Sequence, residues 1–278
     1  MSGFYKYHGL GNDYIVIDPA KCSVPMTEEN IKLICHRNLG VGSDGILYGP
    51  ISKSGEIHLK IFNPDGSEAE KSGNGLRIFA QYLWDQKYVT DKSFHIHTKV
   101  GPVEATILNE NNNLIKIDMG ELSFTPQNIP VLSNSDEVIN HEIILDDKSF
   151  KINCVSIGNP HCVIIADSAS KELATKYGPK IENHKLFPNR TNVQFMQIID
   201  RNNIKIEIWE RGAGYTLASG SSSVGATAVA HKHGMVDSNV TVHMQGGSVN
   251  VEIKGNRALL IGTVSRVMEG NFSTNFIN

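Results

Sequence analysis

The segment Lys71-Ser72-Gly73-Asn74-Gly75-Leu76-Arg77-Ile78-Phe79-Ala80 places a glycine-flanked serine at the start of an apolar run. Ser219-Gly220-Ser221-Ser222-Ser223-Val224-Gly225-Ala226 repeats the device later in the chain. A hydroxyl at a helix start stands beside backbone N–H groups that lack an intrahelical acceptor. Together with the helix dipole, those donors favour an anion. Two such turns suit an anionic small molecule.

The two serines are 219 − 72 = 147 residues apart, and other landmarks share that offset. Asn159 follows Asn12 by 147, Asn192 follows Gly45, and Glu210 follows Asn63. Four landmarks in order, without a gap, argue for a duplicated domain rather than coincidence. Each half far exceeds a solenoid unit, so the expectation is two similar domains and not an array. Halves meeting face to face would enclose a cleft, the usual place for a small-molecule site.

The surrounding elements fit this plan. Phe4 to Asp18 reads as strand, tight turn and strand, with His8-Gly9-Leu10-Gly11-Asn12-Asp13 as the turn. Thr27 to His36 reads as an amphipathic helix capped by Thr27, with Glu28 and Glu29 in its first turn. Gly40 to Gly45 is a glycine-rich loop; no Lys-Ser/Thr follows it, so a plain loop is preferred over a phosphate cradle. Glu56 to Phe62 alternates like a strand, and Asn63 to Ser67 is a turn. Leu76 to Trp84 is apolar on nearly all sides, as in a helix surrounded by protein. Short strands between Ser93 and Met119 are broken at Gly101-Pro102 and at Asn109 to Asn113. Gly120 to Leu132, with Pro126 and Pro130, reads as a linker.

The plan then restarts. Cys154 to Ile165 is strand, Gly-Asn turn and strand, and Ala169 to Tyr177 is helical. Asn192 to Ile199 and Ile204 to Trp209 are strands, and Val224 to His233 is a buried helix of small residues. Strands separated by Gly247 and Gly255-Asn256 finish the chain. The expected domains are 1–120 with 265–278, and 121–264.

Composition narrows the function classes. With 40 % hydrophobic and 20 % charged residues in 278, the chain reads as soluble and globular. A net charge of −3 with dispersed Lys and Arg gives no electrostatic case for nucleic acid. No run is long enough to span a bilayer, and the N-terminal segment lacks a signal peptide's apolar core. Cys22, Cys35, Cys154 and Cys162 show neither metal-ligand spacing nor a dense disulfide framework, so a reduced, cytoplasmic protein is expected.

Five motifs in order resemble the diaminopimelate epimerase family across essentially the whole chain. They are His8-Gly9-Leu10-Gly11-Asn12-Asp13-Tyr14, Phe62-Asn63-Pro64-Asp65-Gly66-Ser67-Glu68, Gly73-Asn74-Gly75, Gly158-Asn159-Pro160-His161-Cys162 and Glu210-Arg211-Gly212-Ala213-Gly214. The resemblance implies an α/β (α+β) fold of two pseudo-symmetric domains, each a curled, mainly antiparallel sheet around a central helix. It implies epimerisation of one α-carbon of diaminopimelate, in lysine and peptidoglycan precursor synthesis, with no cofactor and no metal. Substrate would be held by Asn12, Asn63, Asn159, Asn192, Glu210 and Arg211. Backbone N–H groups near Gly73, Asn74, Gly220 and Ser221 would hold the reacting carboxylate. The expected partner is a small-molecule amino acid, with no nucleic acid or membrane; a homodimer stays open.

By motif, the family's two catalytic cysteines correspond to Ser72 and Ser219. Gly45 stands where glutamine is frequent in the family, and Tyr215 where glutamate is common. A helix N-terminus lowers a thiol's pKa from about 8.5 towards neutrality. A serine hydroxyl is weaker by roughly five units, on the order of 7 kcal/mol at about 1.36 per unit. Such a hydroxyl needs assistance, and His161 with Glu210 as orienting carboxylate is the expected source. The other histidines read as structural. Three readings stay open: a Cys-to-Ser variant of an ordinary epimerase, a natural branch with altered isomerase (another amino acid, serine-based) or hydration/dehydration chemistry, and a binding homologue impaired in catalysis.

Overall fold

The computed structural model describes residues 3–111, 113–145 and 148–276. Met1 and Ser2 of the N-terminal segment and Asn112 of the Asn109–Asn113 break lie outside the described residues, as do Asp146, Asp147, Ile277 and Asn278. In chain order the elements begin β1 (Gly3–Gly9), β2 (Asn12–Ile17), α1 (Glu28–Cys35), β3 (Ile46–Lys53), β4 (Glu56–Phe62) and β5 (Glu68–Ala69). They continue α2 (Gly73–Asp85), β6 (Ser93–Thr98), β7 (Gly101–Asn109), β8 (Leu114–Glu121) and β9 (His141–Leu145). Then come β10 (Lys148–Ser156), β11 (Pro160–Ile165), α3 (Lys171–Glu182), β12 (Asn192–Asp200), β13 (Asn203–Glu210) and β14 (Gly214–Thr216). The chain ends α4 (Gly220–Lys232), β15 (Asn239–Met244), β16 (Gly247–Lys254), β17 (Arg257–Thr263) and β18 (Ser265–Asn271). Two compact units result: Met1–Ile117 with Gly262–Asn278, and Asp118–Ile261.

In the first unit β18 pairs with β1, β1 with β2, and β2 runs parallel to β3. The antiparallel β3–β4 hairpin follows, then a parallel step to β6 and antiparallel pairings on to β7 and β8. Helix α2 packs against β1, β2, β3 and β7, so the sheet curls about it. Its inner residues Leu76, Ile78, Phe79, Ala80 and Leu83 have no solvent exposure. Apolarity on nearly all sides is therefore the mark of a helix enclosed by its own sheet. Helix α1 instead lies over an outer cluster built on Phe4, Ile15, Ile17, Ile31, Ile34 and Ile46. Its cap is Thr27, whose hydroxyl accepts from the Asn30 amide.

The second unit repeats this order. β9 pairs with β10, β10 with β11, and β11 runs parallel to β12. The β12–β13 hairpin is followed by a parallel step to β15, then β16 and β17. Helix α4 packs on β10, β11, β12, β13, β15 and β16. The offset holds to the residue at the enclosed helices, with 220 − 73 = 147 at their starts and 232 − 85 = 147 at their ends. The fold is a mixed α/β architecture of two pseudo-symmetric halves.

Three elements differ from expectation. Helix α3 runs on to Glu182 through Pro179, past the expected end at Tyr177. Gly178 is a close-packing residue, since a Cβ there would lie 2.6 Å from Trp209 Cβ. Ile46 to Lys53 is a full strand, and so is His141 to Leu145. Both carry weak alternation, and register with a neighbour defines them. Among the described residues no helix is long and apolar enough to cross a membrane.

Candidate active site

Both serines are N-caps in extended backbone conformation. Ser72 Oγ accepts from the Gly75 amide at 3.0 Å, and Ser219 Oγ accepts from the Ser222 amide at 3.4 Å. Helix geometry leaves the N–H groups of Gly73 and Asn74, and of Gly220 and Ser221, without an intrahelical acceptor. Each turn thus presents a hydroxyl flanked by two donors at the positive end of a thirteen-residue helix. Ser219 is buried, with Ser221 Oγ 3.5 Å from its hydroxyl and the Met244 sulfur 3.5 Å from its amide.

The side chain that reaches a serine hydroxyl from across the sheet is Tyr14, whose hydroxyl is 3.0 Å from Ser72 Oγ. Sequence reasoning passed over Tyr14 as one more β-former. Gly45 makes room for it, because a Cβ at that position would meet Tyr14 Cε1 at 2.8 Å and the Phe62 carbonyl at 2.6 Å.

The same offset carries Tyr14 to His161, since 161 − 14 = 147. His161 does not reach Ser219 in the same way. Its Nε2 lies 3.0 Å from Asn159 Oδ1, Nδ1 is unpartnered among the described residues, and a Cβ on Gly225 of α4 would lie 3.0 Å from its ring. Asn159 is a side chain hydrogen-bonded to this ring. Complete burial pushes the imidazole pKa down to about 3, the Gln194 amide beside it opposing the shift and Arg211 adding to it. The ring is neutral at physiological pH, and its contacts make it a prop for Asn159.

That burial has a measurable consequence. The unfolded chain takes up a proton at His161 below about pH 6.5, whereas the folded chain does so only near 3. His161 therefore contributes stability above pH 6.5 that is lost as pH falls towards 3, at up to about 1.36 kcal/mol per pH unit. Urea titrations across this range should show a shallower acid slope in His161→Gln. An unchanged slope would assign the loss to other groups.

The remaining first-unit residues form one network. Asn12 Nδ2 donates to Asp44 Oδ2 at 2.8 Å, and its Oδ1 accepts from Asn74 Nδ2 at 3.0 Å. Asn74 Oδ1 in turn accepts from Arg77 at 2.7 Å. Arg77 has no solvent exposure, and its Nε and other terminal nitrogen have no partner among the described residues. Burial lowers its pKa to about 10, so it remains a cation. One arginine within the apolar run Leu76–Ala80 was the available signal. The Gly40–Gly45 loop is tied down by Arg37, which bridges Asp13 and Asp44, and by Lys6, which donates to the Gly42 carbonyl. Burial works against charge on Asp13, but Arg37 and Lys6 outweigh it and hold the carboxyl below its usual range. The loop is a brace and not a phosphate cradle. Asn63 is exposed, and its amide closes its own turn onto Ser67 Oγ at 2.9 Å.

In the second unit Asn192 accepts from the Arg211 amide at 3.0 Å and donates to the Pro160 carbonyl at 2.9 Å. It therefore joins the Asn159 turn to the Glu210–Gly214 turn. Glu182, buried and missed in the sequence, holds the latter turn by accepting from Gly212 N at 2.9 Å and Trp209 Nε1 at 2.7 Å. Arg211 donates to the Asn189 carbonyl at 3.3 Å, and Glu210 ends β13 with its carbonyl bonded to Ala213 N. Tyr215 donates to Glu207 at 2.7 Å. A groove beside Pro126, Val131, His141 and Pro188 contains none of these residues.

The arrangement within each unit is a hydroxyl at a helix start, two open backbone donors and a braced set of amides. The chain is similar to known proteins along nearly its whole length. The family described as diaminopimelate epimerase matches residues 4–125 and again 153–274. Diaminopimelate epimerase 2 of Nostoc sp. is 53 % identical over 273 residues, covering 98 % of this chain and 95 % of the relative. The diaminopimelate epimerase of Acetivibrio thermocellus is 36 % identical over 276 residues, covering 98 % and 99 %. Among solved structures, a hydroxyproline epimerase of Agrobacterium vitis matches with TM-score 0.72 at 12 % identity, over 98 % of this chain and 90 % of that one. A methylitaconate-delta-isomerase matches with TM-score 0.63 at 11 % identity, over 98 % and 95 %. The chain belongs to the diaminopimelate epimerase family.

Proposed function

We propose that the protein is a cofactor-independent isomerase that epimerises diaminopimelate by two-base proton transfer at the α-carbon, with one group from each serine turn. The observation that carries this reading is the equivalence of Ser72 and Ser219, each capping an enclosed helix at the same offset that relates the whole fold. In this reading Gly73, Asn74, Gly220 and Ser221 hold the reacting carboxylate. Asn12, Asn63, Asn159, Asn192, Glu210 and Arg211 hold the charged ends of a zwitterionic substrate. Tyr14, in contact with Ser72 Oγ, takes the assisting role expected of His161. The setting is cytoplasmic synthesis of lysine and peptidoglycan precursors.

A deprotonated serine is costly, so a second reading has a specific support: both hydroxyls already act as ordinary caps. Under that reading the protein binds an amino acid without turning it over. Solvent-deuterium incorporation at the α-carbon, followed by NMR over a panel of L- and D-amino acids that includes diaminopimelate, separates the two. Exchange on diaminopimelate supports the epimerase; exchange on another member alone gives a different isomerase; calorimetric binding without exchange gives the binding protein. If Arg211 grips substrate, Arg211→Ala should weaken binding by about 2–4 kcal/mol, the range for truncating one partner of a desolvated charge pair. An unchanged isotherm would remove Arg211 from the site.

A further inference from the structure

We propose that Glu56, His58 and His97 form a three-ligand site for a divalent transition metal, with Zn2+ as the best fit. Glu56 Oε2 lies 3.2 Å from His58 Nε2 and 3.6 Å from His97 Nδ1, and all three donor atoms fall within 4.8 Å of one another. Ligand bonds of 2.0–2.1 Å in a tetrahedral zinc site place donor atoms about 3.3 Å apart, so the two shorter separations are those of a coordination shell. Two imidazoles and a carboxylate are a donor set that zinc accepts, with water in the fourth position.

The backbone holds the donors in place. His58 on β4 stands opposite His97 on β6, and Glu56 is two residues from His58 on the same outward face. Leu59, Ile61 and Ile96 point the other way, into the core. The location also has a mechanical meaning. His58–His97 is the register pair that joins β4 to β6 across the crossover through α2. A metal there would staple the parallel seam where it has least backbone ladder.

The duplicated half supplies an internal control. Its corresponding seam, β13 to β15, has three register pairs, from Asn203↔Thr241 to Lys205↔His243. By the 147 offset, Glu56 is replaced by Asn203 and His58 by Lys205. His243 there uses both ring nitrogens on Asn203 and Ser248, at 3.0 and 2.9 Å. A lysine cation and a doubly bonded imidazole do not make a metal site, so one ion per chain is expected.

The proposal is independent of the epimerase reading. Protein stripped with chelator and dialysed should titrate calorimetrically with ZnCl2 to one saturable site. The same stripped protein should give the intense visible bands of tetrahedral Co2+ with CoCl2. His58→Gln or His97→Gln should weaken Zn2+ by at least the ten- to hundredfold, roughly, that loss of an outer-shell partner alone costs. Glu56→Gln, which keeps side-chain shape, should weaken it as well, and His243→Gln should leave the isotherm unchanged. Zn2+ should raise the melting temperature of the wild type and not of the double histidine variant. All these side chains are partly exposed, and circular dichroism verifies that each variant is folded. No saturable binding by the wild type, or an unaltered isotherm in folded His58→Gln/His97→Gln, would overturn the site.

Discussion

Replacing both caps with cysteine, Ser72→Cys with Ser219→Cys, should raise α-proton exchange on diaminopimelate by at least about a hundredfold, the low end of general-base contributions. The cause is the accessible thiolate. Each cap sits at the N-terminus of a thirteen-residue helix, and that placement stabilises an anion on the side chain. Either single change should give much less net epimerisation, because one face of the carbon would still lack a competent partner. The measurement is deuterium wash-in by NMR, with binding verified by calorimetry. A double-cysteine protein that folds and binds diaminopimelate yet shows no exchange would defeat the two-base reading. A fast serine form that Tyr14→Phe abolishes would instead make the Ser72–Tyr14 contact the working unit of a serine-based isomerase.

Much of this was legible in the chain because the fold is duplicated and its punctuation is local. A capped helix is written in a few consecutive residues, so Thr27, Ser72 and Ser219 could be read directly, and the 147 offset then tied the halves together. Residues that act across the sheet left no such trace. Tyr14 and Ser72 are 58 positions apart, and their contact depends on the absence of a side chain at Gly45. His161 occupies the equivalent position in the second half, but a short imidazole packed on Gly225 cannot do what a phenol does from Tyr14. Reading a histidine near a serine as a base was reasonable chemistry; complete burial, which only three dimensions reveal, removes its basicity. Glu182 was hidden for a related reason, since it lies at the end of a helix expected to stop five residues earlier, by 182 − 177.

Arg77 leads to the other large expected effect, and the sign of its two parts differs. A guanidinium with no solvent exposure and one hydrogen bond among the described residues is an expensive group to keep charged. No carboxylate contributes to its pKa, which burial alone lowers to about 10. Arg77→Met fills similar space with apolar atoms, so the variant should be as stable as the wild type or more stable by about 1–4 kcal/mol in urea unfolding. Truncation to alanine is the wrong probe, because the cavity alone costs about 2–5 kcal/mol. Activity should move the other way. Arg77 fixes the Asn74 amide, Asn74 fixes Asn12, and Asn12 completes the chain to Asp44. Without its donor the Asn74 side chain is free to turn, and the donors and acceptors beside the Ser72 cap lose their alignment. A displacement on the order of 1 Å at such a site costs about a hundredfold in turnover, which is the loss expected for Arg77→Met. The buried cation also adds positive potential near the first turn of α2, and its removal should raise the pKa of a cysteine placed at position 72. A thiol titration comparing Ser72→Cys with Ser72→Cys/Arg77→Met measures that shift separately from turnover. A Met variant with wild-type turnover and an unshifted thiol would leave Arg77 with a packing role alone.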